Sequence, residues 1–272
     1  MRLKLKTKLE VPLEAESISP AHLLGKPVRE VAALPLQYGN EQVPLGEFFS
    51  IDGTECTGQL HVEGDLGRVK YLGRGMDRGL LTIDGPVGMH LGSGMLGGEI
   101  RVRGEVADWL GAEMRGGLIR VEGSAGHLVG AGYRGERTGM TGGTIIIKGN
   151  VGNEVGARMR RGLIAVSGAS GDFLGVGMRA GTLVVFGQSG AHPGANMNRG
   201  TIVLTEATHL LPTFVYCCIY RPSFLPILWR TLENQGVSVP QAAREGSCAR
   251  YLGDTNELGK GEILICQRAE SA

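Results

Sequence analysis

Arg115, Arg134, Arg160 and Arg179 recur along the chain at intervals of 19, 26 and 19 residues, each one place after Met114, Tyr133, Met159 or Met178. One further interval of 19 brings Asn198, and Arg78, Arg161 and Arg199 stand beside the series. If the intervening segments stack, four guanidinium groups lie on one flank within about 15 Å. Like charges that close repel unless anions lie among them. The guanidinium fork suits carboxylates and phosphates. Two readings are open: the arginines pair with Glu113, Glu136, Glu154 or a neighbouring subunit's acids, or they cradle a polyanion.

Other residues able to do chemistry do not converge. A metal site needs several ligands within a turn or two. His61, His90, His127 and His192 fall at non-equivalent offsets, and Cys217-Cys218 is an adjacent pair with poor chelating geometry, so no metal site is expected. No Ser or Cys stands in a nucleophile-elbow context, so no catalytic residue is expected. Residues 92–97 and 130–135 match G-x-G-x-x-G. No helix pattern follows either, and the mechanism of that motif requires a helix N-terminus. Both matches are empty.

The bulk properties narrow the class. A formal net charge of +1 and 5% aromatic residues argue against a nucleic-acid coat or a membrane-surface protein. The 42% hydrophobic content supplies a core. No signal peptide or spanning helix is visible in the sequence. Five cysteines, an odd number without a C-x-x-C pair, read as reduced thiols of a cytoplasmic protein. Of the 28 basic residues, 21 are Arg and 7 are Lys, a skew that supplies the side chain best suited to gripping carboxylates and phosphates.

What must position the arginines is a repeat, signalled by 46 glycines. Gly79, Gly98, Gly117, Gly143, Gly162, Gly181 and Gly200 are spaced 19, 19, 26, 19, 19 and 19 residues apart. Each unit reads as an apolar strand followed by G-x2-G-x3-G; the fifth runs Thr144-Ile145-Ile146-Ile147-Lys148, then Gly149, Gly152 and Gly156. The long interval holds a seven-residue insertion, GERTGMT, between Tyr133 and Gly143. A 19-residue unit cannot bury its apolar face alone, whereas stacked units can. The expected fold is all-β: a right-handed β-helix (solenoid) of about seven 19-residue glycine-rich coils over residues 58–204. Residues 1–57 and 205–272 are expected as capping extensions, with a short amphipathic helix at 223–235 stopped by Gly236. Met76, Met95, Met114, Tyr133, Met159, Met178 and Met197 share one position and read as an internal apolar stack rather than a thioether metal site.

The repeat resembles the glycine-rich β-helix at the C-terminal end of the glutamate synthase large subunit. The flanks resemble the C subunit of formylmethanofuran dehydrogenase. The residues that carry this likeness are Ile18-Ser19-Pro20, Leu34-Pro35, Tyr38-Gly39-Asn40 and Leu45-Gly46-Glu47-Phe48-Phe49 on the N-terminal side. On the C-terminal side they are Leu211-Pro212-Thr213-Phe214, Tyr220-Arg221-Pro222, Gly253-Asp254 and the run from Glu257 to Ile263. The resemblance implies a non-catalytic scaffold, with catalysis on formyltransferase-like and amidohydrolase-like partner subunits. Two systems use such a protein. One is the formyltransferase/hydrolase complex of aerobic methylotrophic bacteria, which moves a formyl group from tetrahydromethanopterin to a methanofuran-type carrier and releases formate. The other is the archaeal tungsten or molybdenum formylmethanofuran dehydrogenase. The arginine-rich composition favours the bacterial system. No cofactor is expected on this chain, but a carrier with a polyglutamate tail would suit the series Arg115, Arg134, Arg160 and Arg179.

Overall fold

The computed structural model describes residues 1–267. Its centre is one sheet of thirteen strands. In chain order these are β1 (Arg2–Leu5), β2 (Phe49–Asp52), β3 (Gln59–Glu63), β4 (Leu80–Asp84), β5 (Glu99–Val102), β6 (Leu118–Val121), β7 (Thr144–Ile147), β8 (Leu163–Val166), β9 (Thr182–Val185), β10 (Arg199–Leu204), β11 (Val215–Tyr220), β12 (Ser247–Gly253) and β13 (Lys260–Gln267). The spatial order is β11-β12-β13-β10-β9-β8-β7-β6-β5-β4-β3-β1-β2. Strands β3 to β10 are parallel and in register, Ile119 facing Ile145 and Ile164 facing Leu183. The ends are antiparallel: β1 with β2, and the β11-β12-β13 meander.

This corrects the expected right-handed β-helix of seven coils. The 19-residue period is the step between neighbouring rungs of a mixed parallel and antiparallel sheet, accompanied by five short helices and a separate four-stranded sheet. The physical reason lies within each unit. Only one stretch per unit has the β-branched and apolar content to pair over four or more residues. The glycine-rich remainder turns repeatedly and makes only single bridges between units, such as Val87 with Val106. The flanking stretches extend the same sheet, β1 pairing with β3 and β13 with β10.

Two cores follow from strand alternation. The second and fourth strand positions, for example Ile100 and Val102 or Ile145 and Ile147, point inward and are fully buried. The third position points to the opposite face. There β4 to β6 carry Thr82, Arg101 and Arg120, whereas β7 to β10 carry Ile146, Ala165, Val184 and Val203. The apolar half is covered by the helices Leu225–Asn234 and Gln241–Glu245, which bring Leu225, Trp229, Leu232 and Ala243 onto it. The Trp229 indole N–H donates to the Ala243 carbonyl at 3.1 Å and ties the two helices together.

Inside, Met76, Met95, Met114, Met140, Met159, Met178 and Met197 form a buried column. Each reaches beneath a glycine of the next rung: a Cβ on Gly117 would lie 2.7 Å from the Met95 Cε, and one on Gly162 the same distance from the Met140 Cε. Met140 therefore takes the place expected for Tyr133, and the extra seven residues are 133–139. The cysteine expectation is also corrected. Cys248 and Cys266 are register partners on β12 and β13 and form a disulfide, leaving Cys56, Cys217 and Cys218 free.

Asp254, 1% exposed, closes the far end of the stack. Its carboxylate accepts backbone N–H groups of Asn196 at 3.0 Å and Asn256 at 2.9 Å. Burial pushes its carboxyl upward, but these donors outweigh burial and hold it below the ordinary value of 3.8. A carboxyl depressed in the folded state stabilises above its unfolded value and loses that contribution as pH falls through the folded one. Unfolding titrations below about pH 4 should therefore show an acid-induced loss of stability that is smaller in Asp254→Asn. An identical acid limb in that variant would exclude this role.

Candidate functional site

The ladder of backbone bonds assigns each arginine to a rung. The N–H groups of Leu96, Arg115, Thr141, Arg160, Arg179 and Asn198 donate to the carbonyls of Met76, Met95, Met114, Met140, Met159 and Met178. Arg115, Arg160 and Arg179 thus share one column, with Thr141 between the first two. Arg134 is not in it; the insertion carries it elsewhere. Arg161 and Arg199 flank the column one residue on, and Lys260 lies opposite Arg199 in register. Rungs are about 4.8 Å apart.

All of these cations are exposed or half-buried. Among the described residues, Arg115, Arg134, Arg160, Arg161, Arg179, Arg199 and Lys260 make no ion pair, while Arg120, Arg101 and Arg103 do. The pairing of the arginine series with Glu113, Glu136 or Glu154 does not occur. Glu113 instead accepts the backbone N–H of Tyr133 at 3.1 Å. The arrangement is a ridge of guanidinium groups without an ion-pair partner among the described residues, densest at Arg160, Arg161, Arg179 and Arg199.

The insertion is held to the wall at several points. The Tyr133 hydroxyl meets His90 Nδ1 at 2.9 Å, and its ring packs on Trp109 with centroids 4.9 Å apart. Burial lowers the basicity of His90 and pushes the Tyr133 hydroxyl up, so this pair is neutral near pH 7. Arg158 Nη1 donates to the Glu136 carbonyl at 2.8 Å. Tyr71, His90, Trp109 and Tyr133 thereby form a partly buried aromatic series, Tyr71 and His90 stacking at 4.5 Å. Sequence reasoning missed this feature. Its signal was a 19-residue recurrence at Tyr71, His90 and Trp109 that passes through Leu128 and Glu154 and returns to rings at Phe173 and His192. His90 and His192 therefore hold equivalent positions, which corrects the expected offsets, but they stand five rungs apart, too far to share a ligand.

The remaining histidines have structural partners or stand alone. His61 Nε2 lies 2.7 Å from Asp84 Oδ2, and His127 Nδ1 accepts the Asn153 N–H at 2.8 Å. Among the described residues no three His, Cys, Asp or Glu side chains are grouped as a metal site would require. No described helix is long and apolar enough to cross a membrane.

No protein-family model matches the chain. It is 46% identical over 85 residues to the C subunit of the molybdenum-containing formylmethanofuran dehydrogenase 1 of Methanothermobacter wolfeii, a match covering 31% of this chain and 21% of that one. With the C subunit of the tungsten-containing enzyme 2 of Methanothermobacter marburgensis it shares 38% identity over 89 residues, 31% of this chain and 33% of that one. The matched stretch thus spans only about a fifth to a third of these relatives. The solved structures extend the likeness to full length. A chain of the formyltransferase/hydrolase complex from Methylorubrum extorquens, in complex with methylofuran, superimposes with a TM-score of 0.91 at 34% identity, covering 97% of this chain and 99% of that one. The chain belongs to the family of formylmethanofuran dehydrogenase C subunits. Family membership therefore rests on the entire sheet and both flanks, because the full-length match leaves almost none of this chain outside it. The ridge and the insertion are features of this C-subunit relative on which a function must be argued.

Proposed function

We propose that this chain is a non-catalytic scaffold subunit of a formyltransferase/hydrolase complex. That complex would transfer a formyl group from tetrahydromethanopterin to a methanofuran-type carrier and release formate, in the cytoplasm. The observation that carries this reading is the full-length likeness, at 34% identity, to a chain of such a complex. The archaeal dehydrogenase is the second reading, supported by higher identity over a shorter stretch. Scaffolding also suits the surface. Strand β11 is a free sheet edge that exposes Val215, Tyr216 and Ile219, and Phe224 and Ile227 lie exposed nearby in the chain. Such an edge invites pairing or cover by another chain. Formyltransferase-like and amidohydrolase-like subunits are the partners we assign, and a carrier's polyglutamate tail or a partner's acidic segment the occupant of the ridge.

The test is co-expression of the tagged chain with candidate partners encoded beside it. Formyltransferase-like and amidohydrolase-like chains should co-purify, and formyl-carrier hydrolysis should belong to the assembly, with none in the isolated chain. Recovery of a molybdopterin enzyme would favour the second reading instead. The double variant Arg160→Glu with Arg179→Glu separates the roles of the ridge. Loss of assembly identifies subunit docking. Intact assembly with a carrier KM raised tenfold or more identifies tail binding, since charge-assisted Arg–carboxylate contacts contribute about 1.5–3 kcal/mol each. Unchanged assembly and unchanged KM would remove both.

A further inference from the structure

A cavity of about 310 Å³ opens beside the ridge, at the place where the insertion leaves the wall. Trp109, Leu128, Glu154, Arg134, Arg158 and Asn196 line it. Arg158 and Arg160 flank the buried Met159, so cavity and ridge share an edge of the stack.

Its walls are built from backbone that ordinarily calls for glycine. Trp109, Leu128 and Glu154 have φ of 65°, 62° and 58°. Arg158 and Asn196 both have φ of 58°, at a position where Gly75, Gly94 and Gly177 stand in other units. The same conformation recurs at Tyr71, His90, Phe173 and His192 in the other units, so it belongs to the repeat and fixes where each side chain stands. What distinguishes this place is the set of side chains so presented: Trp109, Leu128 and Glu154 stand around one volume with Arg134 and Arg158.

The chemistry of the lining is biased towards donors. Arg134 has no partner among the described residues, and Arg158 commits one Nη1 contact to the Glu136 carbonyl. Glu154 is the single acid of the lining. Trp109, Leu128, Ala157 and Val176 supply a flat and apolar wall. We infer that this cavity binds a small organic carboxylate, its charged group held by Arg134 and Arg158 and its flat or apolar body lying against Trp109. The inference does not depend on the assignment of the ridge or of the complex.

Trp109 also provides the readout, because the other tryptophan, Trp229, is 4% exposed beneath its helix and remote in contacts from the cavity. The full-length chain is titrated with benzoate while tryptophan emission is followed, with benzamide and sulfate as matched controls at constant ionic strength. Benzoate should change the emission saturably, with benzamide at least tenfold weaker and sulfate without a comparable saturable response. Arg134→Gln, on the exposed insertion, and Arg158→Gly, which the backbone favours, should each weaken benzoate at least tenfold, and Trp109→Phe should abolish the optical change. A flat titration would overturn the proposal. So would equal responses to benzoate and benzamide, equal responses to benzoate and sulfate, or unaltered affinity in both arginine variants.

Discussion

Met140→Ala should lower the stability of this chain by about 3 kcal/mol, within the range of about 2–5 kcal/mol for truncating a buried methionine. The side chain is fully buried, continues the column between Met114 and Met159, and reaches beneath Gly162. Truncation leaves a void in the middle of a stack whose neighbours are fixed by ladder bonds on both sides, so little relaxation is available. For a chain of this size the midpoint of thermal unfolding should fall by about 6–12 °C. Tyr133→Ala supplies the contrast. It removes a partly buried ring and its hydrogen bond to His90, and should cost only about 1–2 kcal/mol. If Tyr133→Ala proved the more damaging of the two, the assignment of Met140 to the internal column would be wrong.

The second large effect comes from the partner of that methionine. Gly162 has φ of +104°, and a Cβ there would lie 2.7 Å from the Met140 Cε and 2.8 Å from the Gly143 carbonyl oxygen. Gly162→Ala therefore combines backbone strain with overpacking, and the expected cost is about 2–4 kcal/mol. Combined with Met140→Ala, the new methyl enters the space vacated. The double variant should then be at least about 1 kcal/mol more stable than the sum of the single effects. Gly75→Asn is the control: its φ is +61°, an added Cβ meets nothing within 4 Å, and asparagine tolerates this region, so less than about 1 kcal/mol is expected. Additive losses would mean that the methionine and glycine columns do not meet as described.

Much of this was legible in the residues. The strands at 80–84, 99–102, 118–121 and beyond announce themselves by β-branched content between glycines, and their common spacing places Ile119, Ile145 and Ile164 together. The architecture was overdrawn because a period reports a repeated step and not what the chain does within it. The glycine-rich parts of each unit turn and make single bridges, while both flanks add antiparallel strands to the same sheet. The misplaced Arg134 has a different cause. Tyr133 is 19 residues after Met114, so counting forward puts the insertion after it. Only the burial of Met140, and the bond from the Thr141 N–H to the Met114 carbonyl, show that the insertion comes first. Three of the four predicted arginines consequently align, and the fourth marks the cavity. The pairing of Cys248 with Cys266 depended on strand register, which spacing alone does not reveal.

The switch on the outer face of the sheet, from Thr82, Arg101 and Arg120 to Ile146, Ala165, Val184 and Val203, has a consequence for biogenesis. The apolar half is shielded by helices that begin about twenty residues after the last of these four strands. A ribosome therefore delivers the sticky stripe first and its lid second. At about 5–20 residues per second the newborn chain carries that stripe uncovered for a few seconds, a window in which holdase chaperones or cotranslational capture by a neighbouring polypeptide would protect it from aggregation.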